Sequence, residues 1–362
     1  MELTLSVLDQ SPVRCDGTAY EALRETVQLA AAAERLGYAR YWVSEHHNTA
    51  GFAGTAPEIL VGHIAAATSC IRVGSGGVML THYSALKVAE QFRVLSAFHP
   101  GRIDLGIGRA PGSDPRTAAA LAFPKQPADV EQFPRQIVDL VNYLHGTVEE
   151  GHPYGKIKPQ PGPTPDDVPE IWLLGSSDYS ARVAAVLGLP FAFADFFGTT
   201  HDVGPRVAEL YRREFQPSQY LQEPKINVTV QLICAETEER ARFIGSSRNI
   251  SKLSAMMGQR TGLMAPEEAS RYPLTDQQLS VMEGFTAGYL DGDPQQVRDH
   301  LLETAESYGT TDVSVVTNAY HLNDRLRSYE LVAEVMSLTP LCHSEPQARN
   351  PRQGTDSSFR SE

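Results

Sequence analysis

The chain has 362 residues, 41% of them hydrophobic, and 31 Lys and Arg against 44 Asp and Glu give a formal charge of −13. This content supports a packed core and excludes a disordered body, and the acidic balance (pI ≈ 5.3) argues against nucleic acid and anionic membrane surfaces, which recruit clustered basic residues. No basic leader precedes the apolar residues of the opening MELTLSVLDQSPV, and no apolar run reaches the ~18 residues of a membrane span, so a cytoplasmic location is expected.

In chain order, short apolar runs alternate with amphipathic segments, the grammar of βα units around a parallel sheet. Leu3 to Val7 reads as a strand, and Thr18-Ala-Tyr-Glu21 is a capping-box pattern opening a helix that stops at Gly37. Tyr41 to Val43 follows as a strand, then a helix from Thr55-Ala-Pro-Glu58, with Ile59 and His63 on one face. Ile71 to Leu80 is extended, Ser84 to Phe98 helical, and Ile103 to Gly108 extended. Strands are further expected at Glu170–Leu174, Pro190–Ala194, Ile226–Cys234 and Asp312–Val316. Eight βα units in one chain of this length close most simply into a (β/α)₈ TIM barrel, although an open doubly wound sheet shares the local pattern.

Two interruptions exceed ordinary loops. Residues 110–133 and 151–169 fall between the fourth and fifth strands, and 258–292 precede the last βα unit, before a helix begun by Asp293-Pro294. The barrel is expected over 1–340 and a disordered tail over 341–362. Cys15, Cys70, Cys234 and Cys342 are scattered without a C-x-x-C pair, a pattern that fits reduced thiols.

Glu45-His46-His47 follows the second strand, at the barrel end where active-site loops collect. Adjacent side chains on an extended chain point apart, so a shared metal is not expected. Gly74-Ser75-Gly76-Gly77 interrupts a strand, as a bulge or where backbone approaches a ligand. Gly106-Ile-Gly108 before Arg109 is not a dinucleotide fingerprint, because no third glycine opens a helix. Gly175-Ser176-Ser177-Asp178-Tyr179-Ser180 joins a strand to a helix; it suits a phosphate monoester and equally an ordinary N-cap.

Together, LTLSVLDQSPV, YWVSEHHN at 41–48, the run 54–92, LSAFHPGRIDLGIGRAPGSD at 95–114 and IWLLGSSDYSARVAAVLGLPFAFA at 171–194 resemble the bacterial luciferase-like flavin-dependent monooxygenases. The resemblance implies a barrel that takes reduced FMN from a separate NAD(P)H:flavin reductase and oxygenates a small organic substrate with O₂ through a flavin C4a-(hydro)peroxide. It assigns His46 as the active-site histidine and Gly76-Gly77 as a non-proline cis peptide beneath the flavin, after Ser75. Arg109, following Gly108, becomes the phosphate-contacting arginine; the loop of Gly175, Ser176, Ser177, Tyr179 and Ser180 completes the cofactor site. It also implies a homodimer paired through the helices containing Ile59–Ala67 and Leu86–Leu95.

The reactive cysteine of luciferase α subunits falls on Gly108 and an acidic phosphate-loop residue on Ser176, so aldehyde luminescence is not carried over. Only 6 of the 31 basic residues are Lys, a high-GC bias that directs the substrate expectation toward aromatic polyketides. Two alternatives stand beside this reading: an F420-dependent hydride-transfer oxidoreductase of the same fold, and a flavin-binding barrel without turnover. The segment 258–292, with Met264, Tyr272, Met282 and Phe285, is the expected lid over His46.

Overall fold

The computed structural model describes residues 1–110, 112–124, 130–163, 168–198, 200–259 and 261–340. The expected tail from 341 onward lies outside the described residues. The first half runs β1 (Thr4–Asp9), α1 (Ala19–Leu36), β2 (Arg40–Val43), α2 (Pro57–Ala67), β3 (Arg72–Met79), α3 (Ala85–Phe98), β4 (Ile103–Gly108), α4 (Pro115–Ala122) and α5 (Phe133–His145). The second runs β5 (Glu170–Gly175), α6 (Asp178–Leu187), β6 (Phe191–Ala194), α7 (Gly204–Glu214), β7 (Ile226–Gln231), α8 (Glu238–Met256), α9 (Pro266–Ala269), α10 (Asp276–Thr286), α11 (Pro294–Tyr308), β8 (Asp312–Val316) and α12 (Leu322–Met336).

The eight strands form a closed barrel in sequence order, β8 pairing in parallel with β1. This is the expected (β/α)₈ architecture; the open-sheet alternative is eliminated by that closing pair. Thr18 and Glu21 form the capping box of α1, whose C-terminus is closed by Gly37 in the left-handed region at φ 91°. Two strand ends differ from expectation by two residues or more. β1 continues to Asp9 because Val7, Leu8 and Asp9 pair with Tyr41, Trp42 and Val43. β7 stops at Gln231, and Cys234 beyond it bridges Gly292 instead of the barrel.

Alternation along the strands sorts the interior from the helix layer. Leu8, Trp42, Trp172, Ala192 and Val316 form the packed barrel interior, Trp42 and Trp172 meeting edge to face at 5.4 Å. Tyr41, Val43, Leu105 and Ile107 belong to the outer core under the helices. A Cβ at Gly76 would lie 2.4 Å from Leu8 Cδ1 and 3.2 Å from Trp42 Cβ, so a larger residue would force the Leu8 side chain to shift where β3 passes close to the interior. Beneath, Arg40 pairs with Asp104 at 3.4 Å, Glu170 at 3.5 Å and Asp312 at 3.1 Å. Trp42 Nε1 donates to Asp104 at 2.8 Å.

Among the described residues Cys15 and Cys234 are free thiols, but Cys70 is disulfide-bonded. The expectation of four reduced thiols therefore fails at Cys70, because sequence spacing carries no information on which cysteines meet in space. No helix among the described residues is long and apolar enough to cross a membrane.

Candidate active site

A cavity of about 530 Å³ opens at the C-terminal ends of the strands. Its wall takes Gln10 from beyond β1, His46 and His47 from beyond β2, Phe196 from beyond β6, Gln231 from β7 and Asn318 from beyond β8. Helix α8 adds Arg248, Ser251, Lys252 and Ala255, and the following segment adds Gly258, Gln259, Thr261, Leu263 and Tyr289. The segment 258–292 thus contributes to the lining of the cavity, through residues other than those expected. Met264, Tyr272, Met282 and Phe285 are absent from the lining. Phe285 is instead 2% exposed, lodged against Gly198 with the Lys252 ammonium 4.6 Å over its ring. Apolar content identified the segment but not which faces turn inward.

His46 is half-buried, its ring 4.6 Å from that of Phe52 and its Nδ1 3.2 Å from Ser44 Oγ. Ser44 Oγ also lies 3.5 Å from the Asp9 carbonyl oxygen. Burial, aided by His47, pushes the His46 imidazole down from 6.5 to about 4. The ordinary imidazole value does not hold here: withdrawal from water penalises the imidazolium, and at pH 7 the ring is neutral. A neutral ring has one N–H and one lone pair, assigned by whichever way the Ser44 hydroxyl points.

Glu45 is fully buried and serves as a hub. Its carboxylate accepts from Tyr83 Oη at 2.7 Å and the Met79 N–H at 2.9 Å, and meets His47 Nε2 at 2.7 Å. It thereby ties the end of β2 to the end of β3 and holds His47 beside His46. Among the described residues, no cluster of three His, Cys, Asp or Glu side chains suits a metal ion.

The second expected constellation lies apart from the cavity wall. Ser75, Gly76, Gly77, Gly108, Arg109, Gly175, Ser176, Ser177, Tyr179 and Ser180 are not among its lining residues. The Gly76–Gly77 peptide is cis. The Ser75 side chain is engaged within the barrel wall, its Oγ donating to the Gly106 carbonyl at 2.9 Å and accepting the Gly106 N–H at 3.1 Å.

Gly108 is buried at the end of β4, close under Met79. Arg109 follows it, and its guanidinium stacks 4.4 Å from the ring centroid of Tyr179 in the first turn of α6. Ser177 is the N-cap of α6, yet its side chain makes no capping hydrogen bond. Ser176 is half-buried beside it. Ser180 is 4% exposed, and its side chain occupies the space that a Cβ on Gly175 would fill. A helix N-terminus with open amides, an uncommitted hydroxyl and a guanidinium forming no ion pair among the described residues fits a phosphate monoester. The serine loop and Arg109 therefore suit the phosphate of FMN.

Several wall residues escaped the sequence reading. Gln10, Gln231 and Asn318 are buried polar residues at strand ends, a position that is itself the signal. Asn318 Nδ2 donates to Gln10 Oε1 at 2.5 Å, whereas Asn318 Oδ1 is buried without a hydrogen-bond partner among the described residues. Arg248 and Lys252, one turn apart on α8, look like a solvated helix face in sequence. In the fold, Arg248 is 5% exposed and doubly bonded to Asp291 at 3.0 and 2.5 Å.

A family model described as luciferase-like monooxygenase matches residues 3–311. The N-acetyl-S-alkylcysteine monooxygenase of Bacillus subtilis strain 168 is 36% identical over 337 residues, covering 92% of this chain and 98% of its own. The structure of apo-MsnO8 is similar at 39% identity and a TM-score of 0.85, covering 94% of this chain and 100% of its own. Two distant structures are alike in fold alone. The oxygenating constituent of 3,6-diketocamphane monooxygenase from Pseudomonas putida, in complex with FMN, is 16% identical (TM-score 0.66, 92% and 98% covered). An F420-dependent secondary alcohol dehydrogenase is 14% identical (TM-score 0.64, 93% and 99% covered).

Proposed function

The chain belongs to the luciferase-like monooxygenase family, and from that premise we propose that it oxygenates a small organic molecule with O₂ and reduced FMN supplied by a separate NAD(P)H:flavin reductase. The observation that carries this reading is His46, kept neutral by burial at the wall of the cavity at the strand C-termini. When bound, reduced flavin supplies the electrons that activate O₂.

This chain's residues would do the rest. Arg109, Ser176, Ser177 and the first amides of α6 would hold the phosphate, with Ser180 shaping the turn. FMN is favoured over F420 because, among the described residues, Arg109 is the one basic side chain stacked on this loop, and the longer acidic tail of F420 calls for more. His46, through whichever ring nitrogen faces the cavity, would accept or return a proton at the reacting oxygen. The segment 258–292 would exclude water, so that reducing equivalents reach the substrate instead of forming H₂O₂.

A homodimer is part of this proposal. Ile59 on α2 is 71% exposed and borders a groove with Leu23, Val27 and His63. Such an apolar surface on α1 and α2 suits a second copy.

The test is oxygen uptake by the pure protein supplied with photoreduced FMN and a panel of organic substrates. Substrate-dependent uptake with one product oxygen derived from ¹⁸O₂ is expected. Uptake yielding only H₂O₂ across the panel, or turnover with F420 alone, would replace the reading by one of its two alternatives.

A further inference from the structure

The charges on the cavity wall do not balance locally. Arg248 is neutralised by Asp291, and His46 is neutral at pH 7. Asp114, held by the backbone N–H groups of Arg116 and Thr117 and by Asn48 Nδ2, keeps its negative charge on this wall but forms no ion pair with Lys252 among the described residues. Lys252 has no carboxylate partner among the described residues. Its ammonium donates to the Phe197 carbonyl at 2.7 Å and to Tyr289 Oη at 2.8 Å. Those are two of its three N–H bonds, and both acceptors are uncharged.

We propose that Lys252 anchors a carboxylate on the substrate, so that the cavity selects monoanionic organic acids. The assignment rests on the monooxygenase reading for its consequence in turnover, though not for the binding itself. A half-buried ammonium held by a carbonyl and a phenol, and lying 4.6 Å over the Phe285 ring, is oriented without being neutralised, and two hydrogen bonds leave one N–H to donate to an oxygen acceptor in place of that ring contact. One uncompensated positive charge matches one negative charge; a dianionic phosphate would leave an excess within the cavity. Phe52, Phe196, Phe197 and Leu263 line the same cavity and would take the apolar body of such an acid. Burial and the neighbouring Arg248 lower the ammonium to about 8, which still leaves it charged at pH 7 and makes an incoming anion a source of stabilisation.

The test compares 4-phenylbutyrate with 4-phenylbutanamide, a pair that differs in charge at similar size, by calorimetric titration into the full-length protein at pH 7. Wild type is expected to bind the carboxylate at least tenfold more tightly. Lys252→Met should reduce that preference to less than twofold, and Lys252→Arg should retain most of it, with circular dichroism verifying that each variant is folded. Equal binding of the two probes by wild type, or an undiminished preference in folded Lys252→Met, overturns the proposal. FMN titration of the same proteins separates the sources of charge: unchanged affinity in Lys252→Met is expected, and a loss of threefold or more would reassign Lys252 to the cofactor. Charge selection intact in a protein that never consumes O₂ with reduced FMN would refute the monooxygenase reading while leaving the anion site standing.

Discussion

The guanidinium of Arg109 lies 4.4 Å from the ring centroid of Tyr179, joining the end of β4 to the first turn of α6. The stack presents a fixed positive charge beside open helix amides, where charge-assisted bonds are worth about 1.5–3 kcal/mol each. Arg109→Ala is expected to weaken FMN binding roughly tenfold or more by that magnitude, with Ser177→Ala weakening it severalfold. Tyr179→Phe, which retains the stack, should bind FMN like wild type. Flavin fluorescence titration measures all three; unaltered curves for Arg109→Ala and Ser177→Ala would remove the phosphate from this loop.

His46→Ala is expected to keep FMN affinity, because the ring is not part of the serine loop, and to divert O₂ into H₂O₂. The measurement is product formed per O₂ consumed, with peroxide assayed in parallel. Coupling equal to wild type would leave His46 without a role in handling protons at the reacting oxygen.

The lowered imidazole also sets a pH dependence. His46 titrates near 4 in the folded chain against 6.5 ordinarily. As pH falls from 6.5 toward 4, the unfolded chain takes up the proton first, so stability is lost through that window at up to about 1.4 kcal/mol per pKa unit. His145, pushed to about 4 by burial and by Arg93, acts in the same window. The thermal midpoint should therefore drop between pH 6.5 and 4 in wild type and drop less in His46→Gln. Parallel curves for the two proteins would contradict the burial argument.

Arg325 and Asp9 form an ion pair at 2.5 Å with the arginine side chain 1% exposed. Burial works to raise the Asp9 carboxyl, but Arg325, Tyr41, Thr26 and the Ser11 N–H outweigh it and hold the group below its usual range. Removing one partner leaves the other charge buried, at a cost of about 3–5 kcal/mol. Arg325→Met should thus lower the urea midpoint sharply with little change in slope; a loss below 1 kcal/mol, about the worth of an exposed pair, would show that water reaches Asp9.

Ile59→Asp should convert a dimer into a monomer of 39.6 kDa, read by light scattering. A wild type that is already monomeric would remove the homodimer from the proposal.

The barrel was legible in sequence because βα alternation is local: each strand needs only its own apolar run, and each helix only its own cap, as at Thr18 and Asp293. His46 was legible for the same reason, lying directly after a strand. Lys252 and Arg248 were not, since a helix face turns toward a cavity only when a distant segment, here the one carrying Tyr289 and Asp291, folds over it. The His46 titration was likewise hidden, since its main cause, burial in the folded wall, is not written in the local motif; only the smaller contribution, His47, stands beside it in sequence. Cys70 shows the same limit for covalent pairing.

The barrel floor has a bearing on traffic. With Trp42 and Trp172 packed across the interior and Arg40 tied to three carboxylates below them, small molecules find no passage along the barrel axis. Reactants and products then share the upper mouth, and a large molecule seated there obstructs whatever lies deeper. If FMN enters by that mouth, as the proposed function requires, excess organic substrate would delay its exchange, giving a rate that rises and then declines with concentration.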